Sequence, residues 1–136
     1  MAIIGGAGNP VGGSFTGPAE ALEIIGDRCM AYSGRITSSA ASGAEETMLK
    51  FTTGNYYSDI KLSFIEENKG AETVYFSVFM NGIEIIKNQY DGAPDNDLIS
   101  PMYLIIPAYT EFEVKWGVAS VTKDGCAWIS GQIFRD

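Results

Sequence analysis

The chain of 136 residues contains no histidine. That absence removes a Ser-His-Asp triad, a Cys-His dyad and the commonest transition-metal ligand together. Cysteine is nearly absent as well, with Cys29 and Cys126 the whole complement. Two distant thiols without histidine cannot complete a structural zinc site, and they are too few for a disulfide framework. Free, buried thiols are the expectation in a reducing compartment. Positive charge is sparse: 9 Lys and Arg stand against 17 Asp and Glu, a net charge of −8. Binding along nucleic acid or on an anionic membrane needs clustered Lys and Arg, so neither partner is expected. Long apolar runs are missing too. Met102 to Ile106 is among the longest and is strand-sized, far short of the roughly 20 residues of a membrane span. The start, Met1-Ala2-Ile3-Ile4-Gly5-Gly6, lacks the basic and apolar regions of a signal peptide, and maturation in a cytoplasm is expected.

What is present is enough for one core. Hydrophobic residues make up 46% of the chain and aromatics 12%, which suits a single folded domain. The organising stretch is Thr73 to Tyr90, where two runs of β-branched and aromatic residues flank Asn81-Gly82. A type I′ turn needs positive φ at both central residues, and Asn and Gly tolerate it best, so a hairpin is expected. Its first strand turns Val74, Phe76, Val78 and Met80 inward and leaves Tyr75 and Phe79 on the opposite face. A strand apolar on both faces is covered by something or pairs with another molecule.

Strands are expected on both sides of the hairpin. Pro18 to Gly26 fits a short helix or an entering strand, with the strand favoured, and Cys29 to Thr37 reads as one strand before a 38–44 loop. Glu46 to Thr53 is another. Tyr57 to Glu66 alternates cleanly, with Ile60, Leu62 and Phe64 on one face and Asp59, Lys61 and Ser63 on the other. Pro101 and Pro107 are expected to bound a strand from Met102 to Ile106, since proline cannot donate to a ladder. Glu111 to Val118 turns Phe112, Val114, Trp116 and Val118 inward. Asp124-Gly125 reads as a second turn signal. The final strand, Cys126 to Phe134, carries Ala127, Ile129, Gly131 and Ile133 inward and Trp128 outward. About eight strands at spacings of roughly 8–12 residues, with no convincing long helix, make an all-β sandwich. An eight-stranded antiparallel jelly roll is its simplest form, ahead of an immunoglobulin-like sandwich.

Candidate functional residues follow from this layout. Residues 1–19 are glycine-rich and cannot be core. They read either as a loose terminus or as an arm that grips a neighbour through Ile3, Ile4, Val11 and Phe15, with residues 20–136 forming the domain. Tyr75, Phe79, Ile86 and Trp128 are the candidate subunit interface, if they share the second face of a sheet. Tyr56, Tyr57 and Tyr109 lie near turns, where they could stack on a sugar or rim an interface. The oxygen-rich Asp91–Asp97 loop lacks the spacing of an EF-hand and reads as a solvated turn. The glycines at 5, 6, 8, 12 and 13 fit neither a P-loop nor a dinucleotide fingerprint, and no spacing singles out a carboxylate pair. No catalytic residue, metal or cofactor is assigned.

Three segments carry a family resemblance: Ile25 to Gly34, the Phe79-Met80-Asn81-Gly82-Ile83 hairpin, and Leu104 to Val114. Together with the closing Trp128 to Ile133 strand, they resemble small tailed-phage capsid decoration, or cement, proteins. Those are compared with single jelly-roll, tumour-necrosis-factor-like trimers. The resemblance implies a bacteriophage virion protein, a non-enzymatic homotrimer that binds the major capsid protein on the head surface after assembly in the host cytoplasm. The glycine-rich start would correspond to a capsid-gripping arm. The competing expectation is a carbohydrate- or receptor-binding module of a phage tail or fibre.

Overall fold

Asn81 and Gly82 both have positive φ, at 52° and 79°. They form the left-handed pair that a type I′ turn requires. The computed structural model describes residues 22–38, 45–66, 73–91, 98–118 and 124–135. The expected arm, with Ile3, Ile4, Val11 and Phe15, lies outside the described residues, as do positions 92–97 of the acidic loop.

The strands are β1 (Glu23–Ile25), β2 (Arg28–Tyr32), β3 (Ile36–Thr37), β4 (Glu46–Thr52), β5 (Tyr57–Glu66), β6 (Thr73–Met80), β7 (Ile83–Asp91), β8 (Leu98–Ile106), β9 (Glu111–Val118) and β10 (Asp124–Phe134). Eight of them form two antiparallel layers, β2-β10-β5-β8 and β4-β9-β6-β7. That is a jelly roll, in which consecutive strands mostly alternate between layers. β1 adds to the first layer beside β2, and β3 pairs with β10, which makes that sheet six-stranded. The expected eight-stranded sandwich is therefore present, with two short strands added at one flank.

Alternation decides what lies between the layers. Ile60, Leu62 and Phe64 of β5 are buried against Val74, Phe76 and Val78 of β6 and Phe112, Val114, Trp116 and Val118 of β9. Phe64 crosses from one sheet to meet two rings of the other, 4.6 Å from Phe76 and 5.4 Å from Trp116 between centroids. Distances in this range carry stabilisation beyond area burial. At one end of the sandwich, the Thr53 hydroxyl donates to the Pro107 carbonyl (2.7 Å) and accepts from the Thr110 N–H (2.9 Å). Asn81 is fixed to β9 by its own N–H donating to the Glu111 carbonyl (2.8 Å), and by its side-chain oxygen accepting from the Glu111 N–H (2.9 Å).

Four expectations are corrected. Asp124-Gly125 is not a turn but the start of β10, where Gly125 pairs with Glu66 and Ile36. Glycine serves clearance here: a Cβ on Gly125 would stand 3.0 Å from the Trp116 ring. Pro101 lies inside β8 rather than bounding it, because β8 is an edge strand whose register against β5 shifts between Leu62 and Phe64. The single strand expected from Cys29 to Thr37 is broken at Ser33-Gly34 into β2 and β3. There the Ser33 hydroxyl accepts the Ala127 N–H (3.0 Å), standing in for a ladder bond. Ile86 pairs with inward-facing Val78 and packs against the core, so it is not on the face of Tyr75 and Phe79.

Cys29 and Cys126 are both free. Cys29 faces the core opposite Gly131, and burial raises its thiol pKa to about 11. A raised folded pKa favours the native state below the unfolded value and loses that advantage as pH climbs through the folded one. The stability gap between wild type and Cys29→Ala should therefore shrink between pH 9 and about 11, read from urea midpoints across that range. Gly131 supports a second prediction. A Cβ there would run into the Asp59 carbonyl and come within 2.8 Å of the Ile60 Cα. Gly131→Ala should cost about 2–3 kcal/mol in urea unfolding, as overpacking against backbone does. Gly26→Ala, strained at φ 62° but with open space around it, should cost only about 1 kcal/mol.

Candidate interaction surface

The outward faces of the two sheets differ in kind. On the four-stranded sheet, Tyr75 and Phe79 project outward as expected, and lysines from the flanking strands cover them. The Lys87 ammonium sits 5.7 Å from the Tyr75 ring centre and that of Lys115 sits 5.4 Å from Phe79. Lys87 pairs with Glu45 (3.7 Å) and Glu84 (3.9 Å), and Lys115 pairs with Glu113 (4.0 Å). The Thr47 hydroxyl donates to the Glu113 carboxylate (2.7 Å), and the fully buried Ser77 donates to Glu45 (3.2 Å). The ammonium groups are thus held over the rings by cation–π contact and by their carboxylate partners, so the chain itself partly covers both aromatics.

Among the described residues, the six-stranded sheet has no such cover. Trp128, Ser130, Gln132 and Phe134 of β10 point outward, and the pairing register aligns them with Ser63, Lys61, Asp59 and Tyr57 of β5. Tyr57 and Phe134 stack at 5.2 Å between centroids with 20° between the ring planes. One strand further out, Tyr103 and Ile105 of the β8 edge are opposite Lys61 and Asp59, and they are 74% and 53% exposed. On the other flank, Met30 of β2 and Ile25 of β1 continue the apolar surface. Beside them is a hollow of about 420 Å³, walled by Glu23, Ile25, Arg28, Met30, Ser130 and Gln132. Among the described residues, seven of the ten exposed large hydrophobic side chains belong to this one face: Ile25, Met30, Tyr57, Tyr103, Ile105, Trp128 and Phe134. Single exposed hydrophobics need no explanation, but a contiguous patch marks a contact site.

Of the four residues expected at an interface, the structure therefore brings Tyr75 and Phe79 together beneath lysines, turns Ile86 to the core and sets Trp128 on the other sheet. The missed residues carried a readable signal. In Met102 to Ile106 both alternating sets are apolar, Met102-Leu104-Ile106 and Tyr103-Ile105. That is the same two-faced pattern that singled out β6.

Among the turn tyrosines, Tyr56 packs against the core and burial raises its pKa, Tyr57 stacks on Phe134, and Tyr109 stands 68% exposed at φ 53°. Burial also raises the Cys126 thiol, partly offset by nearby Arg35. No group of three or more metal-ligating side chains occurs among the described residues. The surface can bury apolar area and stack aromatic groups.

No family model matches the sequence, and no curated protein does. Solved structures do share the fold. The VP2 subviral particle of infectious bursal disease virus is similar over 84% of this chain, with a TM-score of 0.50 and 10% identity. T=1 particles derived from the same virus match over 85% of the chain with a TM-score of 0.51 and 9% identity. Its T13 particle matches over 84% with a TM-score of 0.50 and 9% identity. The chain spans about a third of the length of these proteins, 35%, 35% and 33% respectively. The domain thus has a β-sandwich fold of the kind found in viral capsid proteins.

Proposed function

We propose that the chain is a viral structural protein, a decoration or cement subunit that joins a capsid lattice and stabilises it by non-covalent contacts. The observation that carries this reading is the wide apolar face that the described residues leave uncovered, on a jelly roll whose other face sets lysines over its outward rings. The capsid-type fold and the phage-like sequence patterns support the same reading. Its partners would be other copies of the chain, three in the trimer that the resemblance implies, and the major capsid protein of the same virus. The place of action would be the head surface of a bacteriophage, after assembly in the host cytoplasm. The mechanism is burial of apolar area. A standard specific interface covers about 1,600 Å² in total, so several such contacts per trimer can resist internal pressure without covalent bonds. No chemical step is assigned to any residue.

The test uses shells assembled from the major capsid protein of the same virus. The full-length protein should co-sediment with them and raise their disruption temperature. A chain beginning at residue 20 should keep its circular dichroism spectrum and lose shell binding if the glycine-rich start is the gripping arm. Undiminished binding by the truncated chain would remove the arm from the mechanism. Failure of the full-length chain to bind would overturn the reading itself.

A further inference from the structure

We infer that the outer face of the six-stranded sheet is the contact between copies of this chain, with the Tyr103 and Ile105 edge of one copy seated against the Ile25 and Met30 hollow of another. This rests on the structural-subunit reading above and names the surface that would serve it.

Three observations select a second copy as the occupant. The first is area. Five adjacent strands at about 4.8 Å spacing, the longest near 33 Å, give a face on the order of 600 Å². That is comparable with the roughly 800 Å² each partner contributes to a standard interface. The second is charge. The described charges on the face are Glu23, Asp59 and Asp124 against Arg28, Lys61 and Arg35, three of each sign. These described charges cancel, while the chain as a whole carries −8. Two copies would repel through the rest of their surfaces and meet here without that cost, whereas a strongly charged partner finds nothing to complement. The third is placement. In the order β1-β2-β10-β5-β8, the protruding edge and the hollow lie on opposite flanks of one face. Each copy thus offers both halves of the contact, and the contact repeats from copy to copy until it closes. The residue types agree, since Trp, Tyr, Phe, Met and Arg are those enriched at interface cores.

The experiment is sedimentation of the full chain and four variants. Wild type should sediment as an oligomer. Tyr103→Glu on the edge and Met30→Glu in the hollow should each weaken association at least about thirty-fold, as loss of a hot spot does. Both side chains are exposed, at 74% and 43%, so the fold should tolerate the changes, with circular dichroism as the check. Thr52→Glu, on the outer face of the other sheet, should leave the oligomer intact. The double variant Tyr103→Glu with Met30→Lys should recover association beyond either disruptive single change, because edge and hollow then carry opposite charges. An oligomer unaffected by both single variants would overturn the assignment of this face, yet leave the capsid reading standing if shells are still bound. A monomeric wild type would overturn it as well, pointing to cover by residues 1–21 or by the shell protein. Absence of shell binding from an intact oligomer would count against the capsid reading alone.

Discussion

The placement of every outward residue depends on one aromatic contact between the layers. Phe76 of β6 and Trp116 of β9 are direct neighbours in the four-stranded sheet, and Phe64 of β5 reaches across to both. Burying each such ring contributes about 1.5–3 kcal/mol. The arrangement also sets register, because a one-residue slip of β5 would exchange Ile60, Leu62 and Phe64 for Asp59, Lys61 and Ser63 in the core. Gly125 completes it from the far side. Its missing side chain leaves room for the Trp116 ring, and its pairing with Glu66 and Ile36 holds that space open. Once β5 and β10 are fixed in this way, Tyr57, Trp128 and Phe134 have no choice but the outer face.

That constraint acts equally on both layers, so the contrast between their outer faces must come from the residues themselves. On the four-stranded sheet, Lys87 and Lys115 are in register with Ser77 from either side, which sets each stem beside an aromatic ring. Surface ion pairs such as Lys87–Glu84 contribute little to stability, and a cation over an exposed ring contributes about 0.5–1 kcal/mol. Their larger effect is to hide Tyr75 and Phe79 from other molecules. Among the described residues, the six-stranded sheet has Lys61, Arg28 and Arg35 as outward cations beside seven exposed apolar side chains, and none of the three is seated over an exposed ring. An uncovered face of that kind is costly for an isolated chain in water.

Much of the fold was legible because period-two alternation is local. The Asn81-Gly82 turn, the inward sets of β5, β6, β9 and β10, and the outward Trp128 all follow from neighbouring residues alone. What was not legible depends on pairing across the sequence. Pro101 reads as a strand end until β8 is known to be an edge whose register shifts there. Asp124-Gly125 reads as a turn until Trp116 is known to lie over it. The candidate interface failed in the same way. Tyr75 and Phe79 expose apolar rings in the sequence, yet Lys115 lies some forty positions further along and Lys87 across the hairpin. For Ile86, the register shift between Val78 and Phe79 sets it opposite Val78, on the core side. Only the outward direction of Trp128 follows locally, because its flanks, Ala127 and Ile129, are core residues.

The edges of the six-stranded sheet bear on how it can meet another molecule. An open sheet can grow sideways by adding a strand, and natural proteins block this with short edge strands, prolines and register breaks. Here β1 has three residues, too few to template a long partner. At the other edge β8 carries Pro101, which lacks a donor, together with the shift opposite Leu62 and Phe64. Sideways growth is therefore blunted at both ends, while the described residues leave the flat of the same sheet rich in exposed apolar side chains, with charges that cancel. Blocked edges and an open face would direct any association into side-chain packing rather than backbone pairing. Side-chain packing depends on which residues meet, so it can select its partner and stop at a defined number of copies, as a closed assembly requires.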